Sequence, residues 1–420
     1  MGKGKTKDTQ NLIIFLCWCV YASAYFGRYS YSSSINSISQ HYEGIINNAD
    51  AGLVATFFFV AYGAGQIING FLCKKYSSRW TFPIALGSSA FINLCVFIFM
   101  KSGYLGNLFF LLKYLWALNG AAQSMIWSSI IFVFGKNIET KNISRSGFII
   151  STSVPAGTFI AYGTSYIMAL FDLYEWSFVL AAAIMVAVAV MWLLLFEPHQ
   201  RTDIPVQETS KDNKNAKRQS FSHVALITVS GLAILAVSGS FVKDGLQNWI
   251  PTILKKTYSF TDADALILAT SIYFLGALGA LLVRFINKYI KDNILLALTF
   301  YSFVSVFVLL IIKLLKKSSI PVVIFFALVM IGNYAINCII TSIAPLNLRS
   351  YMNPGLAAGL LDGFCYAGSA ISTYLLGFVA DRSNNNWSAV LNLLLAVSVC
   401  TIVIVAIFEI ITRKRTKTDD

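Results

Sequence analysis

Long apolar stretches recur along this chain, each ended by a short polar or charged one. Twelve are read, over roughly 11–39, 49–72, 81–100, 105–135, 144–170, 174–196, 222–250, 263–285, 293–314, 319–347, 354–380 and 387–412. Most reach about twenty residues, the length a helix needs to cross the hydrocarbon of a bilayer. A membrane-spanning strand needs only about ten. The pattern therefore predicts an all-α membrane protein with twelve transmembrane helices. The longest polar interruption, Glu197–Ser220, holds Pro198 and Pro205 and reads as a flexible cytoplasmic linker. It divides the chain into an N-terminal six-helix half over 1–196, a linker over 197–221 and a C-terminal six-helix half over 222–420.

Composition agrees. Of 420 residues, 57% are hydrophobic and only 12% charged, about half the charge of a soluble domain. The net charge of +13 is not a nucleic-acid signal, because the lysines and arginines fall between apolar stretches. With the N-terminus inside, cations on the inner side outnumber those outside by about three to one. Both termini are therefore expected on the cytoplasmic side of an inner or plasma membrane. The outer cluster Lys313, Lys316 and Lys317 runs against this trend. The seven cysteines show neither CxxC nor metal-ligand spacing. No cofactor or metal is expected, and the cysteines read as small core side chains.

The two halves repeat weakly. Gly63–Lys75 resembles the stretch from Gly276 to Lys288, and Arg28 and Lys243 stand at nearly the same offset. So do Pro155-Ala156-Gly157 and Ala367-Gly368. A shared offset argues for a pseudo-two-fold along the membrane normal, with the substrate site between the halves near the midplane.

Arg28 and Lys243 are cations inside apolar stretches, a costly placement unless each faces a polar cavity or a partner. Counted at about 1.5 Å per residue, both fall towards the outer edge. They either snorkel to headgroups, as Lys113 is expected to do, or hold an anion between them. The serines after Arg28 (Ser30, Ser32, Ser33, Ser34) and the matched positions favour the cavity. Only two acids, Asp244 and Asp362, lie well within apolar stretches. Asp244 directly succeeds Lys243, about 100° around a helix, so the two are not expected to point at one ligand. Asp362 lies among Gly355, Gly359, Gly363, Gly368 and Gly377. It is either a proton carrier or a salt-bridge partner.

Polar stripes complete the candidate site. Tyr21, Tyr25 and Arg28 share one helix face, as do Asn119, Gln123 and Trp127, and also Asn333 and Asn337. Each stripe serves either interhelical hydrogen bonding or a common aqueous cavity. No nucleophile elbow, HExxH, phosphate-binding loop or dinucleotide fingerprint occurs, so the chain is not expected to be an enzyme.

On these residues the chain resembles the major facilitator superfamily, and within it the organophosphate:inorganic phosphate antiporter family. The likeness rests on Tyr21-x3-Tyr25-x2-Arg28, on Asn119-Gly120 with Gln123 and Trp127, on Lys243-Asp244-Gly245 through Trp249-Ile250-Pro251-Thr252, and on Ala357-Ala358-Gly359 with Tyr366 and Gly368. It implies two pseudo-symmetric six-helix halves and rocker-switch alternating access. By the same resemblance Arg28 holds a phosphoryl group, Lys243 stands in for the second-half arginine, and Tyr21, Tyr25 and Tyr366 line the site. Gln123, Trp127 and Asn337 complete the expected substrate contacts. Asp362 stands where that family has a glycine, and Tyr273 where it has a glutamate.

Three functions are expected. The first is a secondary transporter of a small organic anion, foremost a sugar phosphate or glycerol phosphate, in exchange for phosphate. The second is a proton-coupled carrier of a carboxylate or other metabolite through Asp362. The third is a sugar-phosphate sensor. The expected partners are the anionic substrate and membrane lipid, with no nucleic acid, and the protein is expected to be a monomer.

Overall fold

The computed structural model describes residues 2–41, 46–72, 77–102, 105–197, 223–344 and 354–416. Regular structure among them is all helical. The first half comprises α1 (Gly2–His41), α2 (Asn48–Leu72), α3 (Ser78–Lys101), α4 (Leu105–Asn137), α5 (Thr140–Ser151), α6 (Ser153–Ala169) and α7 (Trp176–Leu195). The second comprises α8 (His223–Tyr258), α9 (Asp262–Gly276), α10 (Leu278–Ile286), α11 (Asn293–Leu314), α12 (Ser319–Cys338), α13 (Pro354–Arg382) and α14 (Trp387–Thr416). A π-helical turn, Ile339–Ile343, continues α12. The expected linker lies outside the described residues, apart from Glu197.

Eleven stretches among the described residues are long and apolar enough to span a membrane. The twelfth expected segment, 144–170, is broken into α5 and α6 at Thr152. Pro155 has no N–H to return to the Ser151 carbonyl, so the helix is interrupted there. The Thr152 hydroxyl accepts a 2.9 Å hydrogen bond from the Trp18 indole, which ties the break to α1. The segment expected over 263–285 is likewise interrupted at Ala277, between α9 and α10. Here Gly276 and Gly279 let α12 approach. A Cβ on Gly279 would collide with the Ile331 carbonyl, so no other residue fits.

α1 and α8 form the centre of the bundle, with 78% and 72% of their apolar windows buried, against 33% for α7 and α14 at the periphery. The two central helices meet along a polar ladder. Tyr29 faces Asp244 at 3.5 Å, Ser32 donates to Asn248, Thr252 donates to Asn36 at 2.7 Å, and Lys255 donates to Gln40 at 3.0 Å. The sequence separations are 215, 216, 216 and 215. This is the offset of the internal repeat. Symmetry mates touch only beside the axis that relates them, so the pseudo-two-fold runs between α1 and α8.

α8 continues eight residues past its expected end at 250, through Pro251 to Tyr258. Proline cannot donate to the carbonyl one turn earlier, which is that of Gln247. That carbonyl instead accepts from the Tyr162 hydroxyl of α6 at 2.8 Å and from the Tyr273 hydroxyl of α9 at 2.7 Å. One proline thus creates an acceptor that both halves use.

Two seams join the halves, α2 with α13 and α6 with α9, and the pseudo-two-fold exchanges them. The first is packed backbone to backbone. A Cβ on Gly52 would strike the Thr373 carbonyl, and one on Gly377 the Asn48 carbonyl. Asp381 at the end of α13 accepts from the Ala49 amide at 2.8 Å and from the Asn48 side-chain amide at 2.6 Å, satisfying the start of α2. The bundle is therefore closed at the end where α1 and α8 finish.

Candidate substrate cavity

A cavity of about 60 Å³ lies between the halves, below the polar ladder and towards the end where α12 finishes. From the first half, Tyr21 and Tyr25 of α1, Trp127 of α4 and Ser151 of α5 reach it. From the second come Ser240, Lys243 and Asp244 of α8, Tyr334 and Asn337 of α12, and Asp362 and Tyr366 of α13. Of the expected stripe on α1, Tyr21 and Tyr25 reach the cavity, where Tyr21 stacks on Trp127 at 5.0 Å and meets Tyr25 edge-on at 5.0 Å.

Arg28 lies behind this wall and is not among the lining residues. It is 3% exposed, so it reaches neither water nor headgroups, and the snorkelling alternative does not hold. Its guanidinium carbon sits 4.4 Å from the Tyr25 ring centre, 4.3 Å from that of Tyr62 and 5.1 Å from that of Phe58. Nη1 donates to the Tyr366 hydroxyl at 3.0 Å, whereas Nε and Nη2 have no hydrogen-bond partner among the described residues. Tyr366 therefore stands between the cavity and the arginine and touches both. Aromatic faces stabilise the cation by about 0.5–2 kcal/mol each, but they do not satisfy its N–H donors.

Lys243 and Asp244 both line the cavity, contrary to the expectation from helix rotation. Their ion pair, at 3.3 Å, explains this: the flexible lysine stem folds back to the neighbouring carboxylate. The other Asp244 oxygen accepts from Ser369. Asp362 is 9% exposed, lines the cavity, and makes no hydrogen bond or ion pair among the described residues. One cation, Lys243, and two acids, Asp244 and Asp362, thus line one small space, with Arg28 behind it.

Gln123 is not at the cavity. It is fully buried and donates to Ser89 at 2.9 Å and to Asn119 at 3.2 Å. Asn119 and Asn93 in turn donate to the Gly27 carbonyl at 3.3 and 3.4 Å. This amide cluster braces α1 from behind, one residue before Arg28. Of its stripe only Trp127 reaches the cavity. Lys113, the third cation within an apolar stretch, sits among the rings of Phe57, Phe110 and Tyr114 at 5.1–5.6 Å.

Sequence pattern did not single out Tyr62, Phe58, Tyr334, Thr341 or Ser342. The last two line the cavity from the π-helical turn. A π turn adds a residue to one helical turn and re-aims every side chain beyond it, so periodicity cannot find them. Tyr62 lies one turn from Phe58 on α2, and nothing in sequence pairs it with Arg28.

Residues 17–353 match the model of the Major Facilitator Superfamily, which is most of the chain. The chain belongs to the major facilitator superfamily. Its relatives by fold are superfamily transporters and not enzymes. The structure of a bacterial homolog to the human lysosomal transporter Spinster, inward-facing and occupied, superposes with a TM-score of 0.71 at 14% identity over 96% of this chain and 97% of that one. A D-xylose-proton symporter gives 0.74 at 12% identity over 94% and 96%. These likenesses establish the fold alone. In sequence, the superfamily member is 23% identical to the glycerol-3-phosphate transporter of Bacillus subtilis strain 168, over 92% of this chain and 89% of the relative. It is 29% identical to the membrane sensor protein UhpC of Escherichia coli K12 over 117 residues, which is 28% of this chain and about a quarter of that protein (24%).

Proposed function

We propose that this integral membrane transporter moves a small organic anion, foremost a phosphate ester such as glycerol phosphate or a sugar phosphate, by alternating access and in exchange for inorganic phosphate. The observation that carries this reading is Arg28. A guanidinium with two unpartnered nitrogens, buried beside a cavity in the middle of the bundle, is costly unless an anion completes it. An entering phosphoryl group would take over the Arg28 donors as Tyr366 swings aside, and would draw Lys243 from Asp244. Its charge would offset the repulsion between the two cations and let the halves close around it. An empty carrier would lack that offset, which is the physical basis for exchange. The full-length likeness to a glycerol-3-phosphate transporter supports the same substrate class. The excess of inner lysines and arginines supports a cytoplasmic location for both termini and for the mouth of the cavity.

Counterflow in proteoliposomes across glycerol phosphate, sugar phosphates, inorganic phosphate and carboxylates tests this. Exchange of phosphate esters for phosphate is expected. Exchange confined to uncharged compounds would sink it. Ligand binding with no counterflow would favour the sensor, in line with the partial likeness to UhpC.

A second reading rests on Asp362, an acid that faces the cavity without a partner among the described residues. Such a group is placed to carry a proton with the substrate. If it does, uptake responds to an imposed pH gradient and Asp362→Asn removes that response while leaving exchange at equal pH. Uptake indifferent to the gradient in the parent protein eliminates this coupling.

A further inference from the structure

The two seams between the halves differ although the pseudo-two-fold exchanges them. At the level of the cavity, the α2–α13 seam is filled: a Cβ on Gly63 would come within 3.0 Å of Tyr366 and one on Gly363 within 3.3 Å of Ile67. At the matching level the α6–α9 seam holds a cavity of about 200 Å³, between the break at Thr152 and the break at Ala277. Its walls are Pro155, Phe274, Leu275, Ala277, Leu278 and Leu281. Phe159 and Phe274, with ring centres 5.6 Å apart, roof it towards the closed end. Phe274 is 60% exposed and Leu278 44%, so the pocket opens on the lipid-facing surface. Ser151, Ala280 and Tyr334 line both this pocket and the central cavity, so the two adjoin across these three side chains.

We propose that this pocket receives the hydrocarbon chain of a single-chain anionic amphiphile, an alkyl or acyl phosphate ester, whose phosphate lies at Lys243 and Arg28. The proposal rests on the anion reading above and adds the apolar half of the substrate. Charge complementarity fixes which end goes where. The head needs a cation and hydroxyls, which Lys243, Tyr21, Tyr25 and Tyr366 supply in the central cavity with Arg28 behind Tyr366, and the tail needs an apolar wall open to lipid, found at the α6–α9 seam. A compact polar ester would leave the side pocket unused, whereas a chained one would bury methylenes in it. Lateral entry is the corollary, since the tail never has to leave an apolar surface.

The test uses the full-length protein in proteoliposomes, with n-alkyl phosphates from ethyl to octyl competing against counterflow of glycerol phosphate or, if that is not carried, of octyl phosphate itself. Inhibition should strengthen about two- to fourfold per added methylene as the chain fills the pocket. Partition into the bilayer gives some chain-length dependence by itself, so the slope is compared with two variants that plug the pocket, Ala277→Phe and Leu278→Trp. Both should flatten the slope to that of partition alone. Both should leave transport of the shortest carried ester intact, which also reports that they fold. Equal slopes in parent and plugged proteins would overturn the proposal, while the anion reading would stand. Transport of neither short nor long phosphates would overturn both.

Discussion

Replacing Arg28 by methionine is expected to abolish counterflow, by at least about a hundredfold, and to leave the protein as stable as before or slightly more so. The two halves of this expectation have separate grounds. For transport, Arg28 has two nitrogens without a hydrogen-bond partner among the described residues, where the proposed anion would bind, and methionine offers none. For stability, the guanidinium makes one hydrogen bond and four ring contacts, against the cost of holding a charge and two bare donors away from water. Replacing a buried charge by an apolar side chain of similar volume is neutral or stabilising, by up to about 4 kcal/mol, when the charge is not fully satisfied. Thermal unfolding of the purified protein and counterflow, measured on the same preparation, check both. Lysine at 28 should be intermediate in transport, since it keeps the charge and loses the planar fork. Near-parental transport in the methionine variant would show that Arg28 does not hold the anion, and its collapse would show that Arg28 is structural.

Substituting Gly52 by leucine should have the second large effect. The Thr373 carbonyl occupies the place of any Cβ at 52, and the crowding is backbone, so no rotamer relieves it. The variant cannot bring α2 and α13 together at the closed end. It should remain open there and cycle at a small fraction of the parental rate. A cysteine introduced for Ser32, in a background cleared of the native thiols, reports on this directly. Ser32 is 6% exposed within the polar ladder, so a membrane-impermeant thiol reagent should label it slowly in the parent, which opens there only transiently, and much faster when Gly52 is substituted. Alanine at 52 should give a milder version of both effects. Protection unchanged in the leucine variant would mean that the seam closes by another route.

The helices were legible because spanning a bilayer demands long apolar runs, and nothing else in the fold competes with that demand. The offset between Arg28 and Lys243 was legible for a similar reason, and it reappears as the pairing of α1 with α8. The breaks at Thr152 and Ala277 were signalled by Pro155 and by Gly276 and Gly279, but an apolar count passes over them. Site residues were harder. Gln123 and Trp127 lie on one helical face, yet one braces the Gly27 carbonyl's neighbours and the other meets the cavity, because a face four residues long spans two environments. Adjacent charges on α8 diverge by rotation alone, which ignores the reach of a lysine stem. That Tyr366 screens Arg28 joins residues more than three hundred positions apart, which no local pattern encodes.

The carbonyl exposed by Pro251 bears on how quickly such a bundle can change shape. A carbonyl oxygen has two lone pairs, and here one is served by Tyr162 from the first half and the other by Tyr273 from the second. If the halves swing apart as proposed, Tyr162 would depart with its own half while Tyr273 would stay. No buried acceptor is stranded, so the penalty of about 1–3 kcal/mol for an orphaned polar group is missing from the barrier. The departing hydroxyl emerges where water can enter. Under the proposed alternating access, this contact between the halves would release at the cost of a single exchanged hydrogen bond, which suits a motion that must reverse at every turnover.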